Sequence, residues 1–362
     1  IIASLFSSIF SVFGSDFGLK LIAPLFGSMS LIVSFLILKR FLNPKALLYS
    51  ILFLSFIPIF IDYSILGYVE SMLTFFVLLS IYLALNNQLI LSSIAVGLAI
   101  LTKYNGVFVI PVILFIIYQN HSKKLFLRNT SIALTIPLII GIPWFVRNWI
   151  LLGNPVWPFL NSIFHGFEQQ AYSSLNIANL FSINTYIASY LGFFGIPDGN
   201  IKSLLVINIP YLPILFSVFI LATIIFIIPL LVGFRKSKGL SVFHILLLSY
   251  GILFILYVVN VGPLVSRMLL PASISLAFFY GIGLDRIAAK YKKWGSLFVT
   301  IIILISAGFV ITEAAKFTIA SKSWDFYQED FNWVKSNTNK NDIFLAGGQC
   351  IPYHIDRTSL FP

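Results

Sequence analysis

Residues 89–118 read LILSSIAVGLAILTKYNGVFVIPVILFIIY, two apolar runs separated by the polar turn Lys103-Tyr104-Asn105-Gly106. Each run, 89–101 and 105–118, is short for a hydrocarbon layer of about 30 Å. Two topologies compete. The chain either turns at Lys103 and returns as a hairpin of short helices, or continues as one kinked helix. The choice fixes the side on which every later segment emerges.

Charge discriminates between them. With the hairpin, Lys39, Arg40, Lys45, Lys123, Lys124, Arg128, Arg235, Lys236, Lys238, Arg286, Lys290, Lys292 and Lys293 share one side of a membrane with a single acid, Asp285. The remaining acids all fall opposite. Cytoplasmic connectors collect Lys and Arg in this way, and a single kinked helix breaks the pattern. The hairpin therefore places the long loop 147–203 and the tail 313–362 outside.

The composition agrees with a polytopic membrane protein. The chain has 362 residues, is 59% hydrophobic and 10% charged. Soluble domains carry about 25% charged residues. Further spans are expected at 17–39, 44–62, 65–85, 128–146, 204–233, 240–260, 264–284 and 294–312, giving about ten in all. The expected fold is all-α, with a membrane domain over residues 1–312 and an outer tail over 313–362. Residues 1–13 have apolar positions at helical spacing but are too few to span, and suit an interfacial helix. The tail pairs a weakly amphipathic helix around Phe326–Lys335 with a short strand at Ile343-Phe344-Leu345-Ala346, the start of a small αβ segment. The chain opens inside an apolar segment without an initiator Met, which suggests that residues precede Ile1.

Several chemistries lack support. Cys350 is the single cysteine, and the four histidines have no ligand spacing. No phosphate-loop, zinc-protease or serine-hydrolase pattern occurs. The net charge of +11 comes from short basic connectors, so nucleic acid is not expected as a partner. Asp198, in Gly-Ile-Pro-Asp-Gly, belongs to turn chemistry.

Charges at span boundaries are the candidates for function. Glu70 lies at the start of an outside-starting helix, near Tyr68 and Asp62. Helix-dipole stabilisation is its structural alternative. Lys103 occupies the outer turn of the hairpin. Arg147 lies in residues 143–159, PWFVRNWILLGNPVWPF, among three tryptophans and with Asn148 and Asn154. Arg267 begins the segment 264–284. Snorkelling to head groups is an alternative for all three cations, and an aromatic belt is one for the tryptophans. Three cations on one side suit an anionic group, and an arginine fork suits a phosphate. A base beside a phosphate-bearing donor, with fixed cations on the leaving group, is what sugar transfer to a hydroxyl requires.

These stretches resemble a family. Gly97-Leu98-Ala99-Ile100-Leu101-Thr102-Lys103-Tyr104 is similar to the GLA-x-LTK-Y hairpin of GT-C membrane glycosyltransferases. That group includes dolichyl-phosphate-mannose protein mannosyltransferases and lipid A aminoarabinose transferases. Gly67-Tyr68-Val69-Glu70 with Phe75-Phe76, and Pro143-Trp144-Phe145-Val146-Arg147-Asn148 with Gly153-Asn154-Pro155 and Trp157-Pro158-Phe159, also resemble it. So do Arg267-Met268-Leu269-Leu270-Pro271 and the tail residues Tyr353, Asp356 and Arg357. Lys20 departs from the pattern, standing where many relatives have Arg.

The resemblance implies a multi-pass enzyme of the cell membrane. It would transfer a sugar from a polyprenyl-phosphate donor to a lipid, glycan or protein acceptor on the extracytoplasmic face. Lys103, Arg147 and Arg267 would serve the lipid phosphate and Glu70 the sugar or acceptor. Tyr68, Tyr104, Asn148 and Asn154 would serve the sugar, the acceptor or the loop. The family's catalytic base is an acidic residue in the first outer loop, which would precede Ile1. No cofactor is implied, with a divalent metal left open. An oligosaccharide polymerase or ligase is the first alternative and a secondary transporter the second, the latter disfavoured by the lack of an internal repeat.

Overall fold

The computed structural model describes residues 17–65, 68–120, 123–157, 159–167, 177–182, 186, 226–237, 239–261, 266–291, 328–345 and 358–360. The expected segments 1–13 and 294–312, most of 204–233, Cys350, Asp198 and the tail residues Tyr353, Asp356 and Arg357 lie outside them.

Apolar runs form the helices, and prolines and polar turns punctuate them. The first helix, α1, is Phe17–Leu38. A bent pair follows, α2 (Pro44–Phe56) and α3 (Pro58–Ile65), meeting at 54°. The bend falls at Ile57, whose ψ is 125°. The residue before a proline is pushed out of the helical region in this way. Helix α4 is Glu70–Leu85 and α5 is Leu89–Thr102. A 3-10 turn, Tyr104–Val109, leads into α6, Ile110–Asn120. Helix α7 is Lys123–Leu152, and a further helix occupies residues 226–236. Helix α8 is Val242–Val261. A 3-10 segment, Ser266–Ala272, then precedes α9, Ser273–Lys290. Pro271 cannot donate a backbone hydrogen bond, which explains why the α-helix begins only after it.

The hairpin forms. Gly97 of α5 lies against Ile140 of α7, and Gly141 of α7 lies against Ile100 of α5. Residue 104, beyond the end of α5, reaches Trp144 and Asn148 near the end of α7. Helices α5 and α7 are therefore parallel, and the segment between them must run back. The reversal depends on Gly106, where a Cβ would lie 2.4 Å from the backbone carbon of Ala99. No side chain fits there.

Of the boundaries that differ from expectation, two bear on the placement of the candidate residues. The segment expected at 65–85 is helical only from Glu70, because Ile65 completes α3. The helix expected to stop at residue 146 continues to Leu152, carrying Pro143 inside it. Thirty residues span about 45 Å, so the end of α7 rises beyond a layer of about 30 Å. Arg147 thus lies on a helix and not at the start of a loop.

Four helices are long and apolar enough to cross a membrane, or five if the bent pair is one span, among the described residues. Leu138, Ile139, Leu248 and Ile252 are exposed on the outside of the bundle, as lipid-facing side chains are. The interior is aromatic. Phe243 stacks on Phe278 at 4.0 Å and Phe53 on Tyr280 at 4.4 Å.

The bundle has two distinct ends. At one, Arg40 donates to the carbonyl of Leu85 at 2.8 Å, and Asn43 donates to Asp285 at 2.9 Å. At the other, the starts of α4 and of the 3-10 segment meet the turn at Lys103. The chain divides into two compact units, Ile1–Phe309 and Val310–Pro362. The second contains α10, Gln328–Asn337, and two three-residue strands, β1 (Ile343–Leu345) and β2 (Thr358–Leu360), paired in parallel.

Candidate functional site

Glu70 opens α4 and is only 3% exposed. Its Oε1 accepts from the Lys103 ammonium at 2.7 Å. Arg267 Nε lies 3.7 Å from the same oxygen, within ion-pair range but too far for a hydrogen bond. Three segments, distant in sequence, thus converge on one carboxylate. Lys103 ends the extended break after α5, and Arg267 lies on the 3-10 segment. The other carboxylate oxygen, Oε2, is buried without a hydrogen-bond partner. The Arg267 guanidinium lies over the half-exposed Tyr68 ring at 5.6 Å.

Among the described residues, this cluster of two cations and one carboxylate carries a formal charge of +1. Lys103 and Arg267 both line a cavity of about 300 Å³. Its other walls include Tyr104, Trp144, Phe159, Tyr257 and Met268. Charges in such a partly dry setting interact more strongly than in water.

A second cluster supports the aromatic wall. The Tyr104 hydroxyl accepts from Trp144 Nε1 at 3.1 Å and from Asn148 Nδ2 at 2.6 Å. Asn148 is 1% exposed, and its Oδ1 accepts from Arg147 at 3.2 Å. Arg147 itself is exposed and lies over the Trp144 ring at 5.0 Å.

Of the three cations expected around one anion, Lys103, Arg147 and Arg267, two line this cavity. The structure unites Lys103 and Arg267 but leaves Arg147 outside the cavity wall. The reason is helical rotation. Trp144 and Asn148, four residues apart, share the face towards Tyr104. Arg147 is turned by about 100° from Asn148 and about 60° from Trp144.

Asn154, expected to serve the sugar, the acceptor or the loop, is placed within the loop. It is fully buried. Its Nδ2 donates to the Phe159 carbonyl and to Asn161 Oδ1, and its Oδ1 accepts from the Val156 amide. This leaves it no open face for a ligand. It braces the turn after α7, which Gly153 starts in the left-handed region at φ +68°.

Sequence reading missed Asn105. It is 2% exposed and lies beneath the cavity. Tyr257 donates to its Oδ1 at 3.1 Å, Tyr250 donates to its carbonyl at 3.3 Å, and its Nδ2 lies 2.8 Å from Met268 Sδ. It links the Lys103 turn to α8 and to the Arg267 segment. The available signal was two tyrosines spaced for one face of an otherwise apolar helix. Among the described residues, no three His, Cys, Asp or Glu side chains gather as metal ligands.

Fold and site together define a polytopic helical membrane protein with a cationic, aromatic-walled cavity at one end. Residues 1–146 match the model of the dolichyl-phosphate-mannose-protein mannosyltransferase family. Across the chain the fold is similar to that in the crystal structure of ArnT from Cupriavidus metallidurans in the apo state. That match has a TM-score of 0.61 at 13% identity, covering 99% of this chain and 74% of that one. No curated protein matches in sequence.

Proposed function

We propose that this protein transfers a sugar from a polyprenyl-phosphate donor to a hydroxyl of a lipid, glycan or protein acceptor. The transfer takes place at the end of the bundle bearing Glu70. That end faces the extracytoplasmic side of the cell membrane, because the opposite end carries the basic connectors.

The observation that carries this reading is the formal charge of +1 that the Glu70–Lys103–Arg267 cluster carries on the cavity among the described residues. A polyprenyl-phosphate sugar is a phosphodiester with one negative charge, which that surplus matches. On transfer, the bond from the anomeric carbon to the phosphate oxygen breaks. A bond to the acceptor oxygen forms, and the acceptor proton leaves to a base. The departing phosphate gains negative charge, which Lys103 and Arg267 stabilise from fixed positions. Glu70 is a positioning residue that holds both cations. The rings of Tyr104, Trp144, Phe159 and Tyr257 supply the apolar walls typical of small-molecule sites. A cavity of about 300 Å³ is at the small end of ligand sites, which favours a single sugar over an assembled oligosaccharide. The two fixed cations supply the charge that a metal supplies elsewhere, so EDTA should leave the rate unchanged.

Donor binding by the active protein in liposomes tests the reading. A charge-assisted contact contributes about 1.5–3 kcal/mol, so Lys103→Ala and Arg267→Ala should each weaken donor binding about 10- to 100-fold. Wild-type donor affinity in both variants rules out the phosphate role.

A further inference from the structure

A second cavity, of about 330 Å³, opens at the basic end of the bundle. Lys236 and Arg286 line it, and both are exposed. Among the described residues neither has an ion-pair partner. The neighbouring Arg40 is already engaged, donating to the Leu85 carbonyl and to the Asn86 side chain. Asp285 also lines the cavity. Its Oδ2 accepts from Asn43, whose own Oδ1 caps α2 at the Ala46 amide.

The lining also has an apolar part, which includes Phe41, Leu42, Phe278 and Ile282. Phe41 is 44% exposed, and its ring meets Phe243 edge-on at 5.3 Å. A free phosphate ion would use only the cations. A phosphodiester attached to a glycerol backbone and acyl chains uses the cations and the apolar lining together. Basic pockets between membrane helices take anionic lipid head groups for this reason.

We propose that this cavity binds the head group of an anionic phospholipid of the phosphatidylglycerol class. Lys236 and Arg286 hold its phosphodiester, and Asp285 accepts from a head-group hydroxyl. The apolar lining receives the start of the acyl chains. The site is separate from the cluster at Glu70 and does not depend on the sugar-transfer reading.

The full chain in neutral detergent, titrated with phosphatidylglycerol, phosphatidylcholine or inorganic phosphate, tests the proposal. The readouts are lipid Kd by native mass spectrometry and the rise in Tm. Phosphatidylglycerol should bind and raise Tm, while the other two should not. A basic residue near a membrane surface contributes about 1 kcal/mol, so Lys236→Ala and Arg286→Ala should each weaken binding about fivefold and together about 30-fold. The double variant Lys236→Arg with Arg286→Lys should retain binding, as should Lys103→Ala. If the double alanine variant does not fold, the single variants decide. Unchanged affinity in the alanine variants overturns the proposal. An equal response to phosphatidylcholine also overturns it, since only an apolar groove would be needed. An equal response to inorganic phosphate does so as well, since only an ion site would be needed.

Discussion

The two ends of the bundle handle charge in opposite ways. At the Glu70 end a carboxylate is buried, and cations from two other segments are brought to it. At the basic end Arg40, Lys236 and Arg286 are exposed and Asp285 is partly exposed. Arg40 is engaged by the Leu85 carbonyl and Asn86, and Asp285 by an amide. Exposed charges near head groups cost little and can be scattered. A buried carboxylate is tolerated only if paired. The difference identifies the Glu70 end as the one where the fold buries a charge and brings partners to it from distant segments.

Substituting Glu70 should break this contrast most strongly. Glu70→Gln leaves Lys103 and Arg267 without their shared carboxylate. Breaking a buried pair costs about 3–5 kcal/mol. Both cations are partly exposed, at 22% and 36%, so a loss of about 2–3 kcal/mol is expected after allowing for solvent screening. Unfolding in detergent measures it, and an unchanged Tm would show that the cluster does not hold this end together.

The Lys103 turn provides the next test. Gly106→Ala forces a Cβ into the backbone of Ala99, and overpacking of this kind costs about 1–3 kcal/mol. Gly251→Ala is the control, because nothing lies within 4 Å of its Cβ position. Similar losses in the two variants would remove the steric argument for the hairpin.

Tyr104→Phe should cost about 1–3 kcal/mol by leaving the Trp144 and Asn148 donors unpaired. Arg147→Ala sharpens the comparison within the same end. It should change donor affinity by less than about threefold, or about 0.7 kcal/mol, against the larger losses at Lys103 and Arg267. A tenfold loss at Arg147 would restore it to the phosphate site. Arg40→Ala at the basic end should have the smallest effect on stability, within about 0.5–1 kcal/mol.

Much of this contrast is legible in the linear sequence. Glu70, Lys103 and Arg267 stand out because each is a charge at the edge of an apolar run, where a charge is costly enough to need a reason. Their convergence is not legible. Lys103 and Glu70 are 33 positions apart, and Arg267 reaches them from a segment whose backbone Pro271 holds out of the α-helix. Arg147 is the converse case. Its closeness in sequence to Trp144, Asn148 and Asn154 makes them look like one binding loop. Continuation of α7 to Leu152 instead sends Asn148 inward and Arg147 outward. Asn105 escapes notice because an amide in a turn is ordinary until two tyrosines of a distant helix are found on it.

The sequence by itself determined the membrane class, the reversal at Lys103 and the gathering of basic connectors at one end. These depend on the length of apolar runs and on the side where charges emerge, which the bilayer reads one segment at a time. Only the tertiary structure decided that Lys103 and Arg267 share Glu70, that Arg147 stands outside their cavity and that Asn154 braces a turn. Those outcomes depend on side-chain direction and on packing between helices, which bring together residues that no local pattern relates.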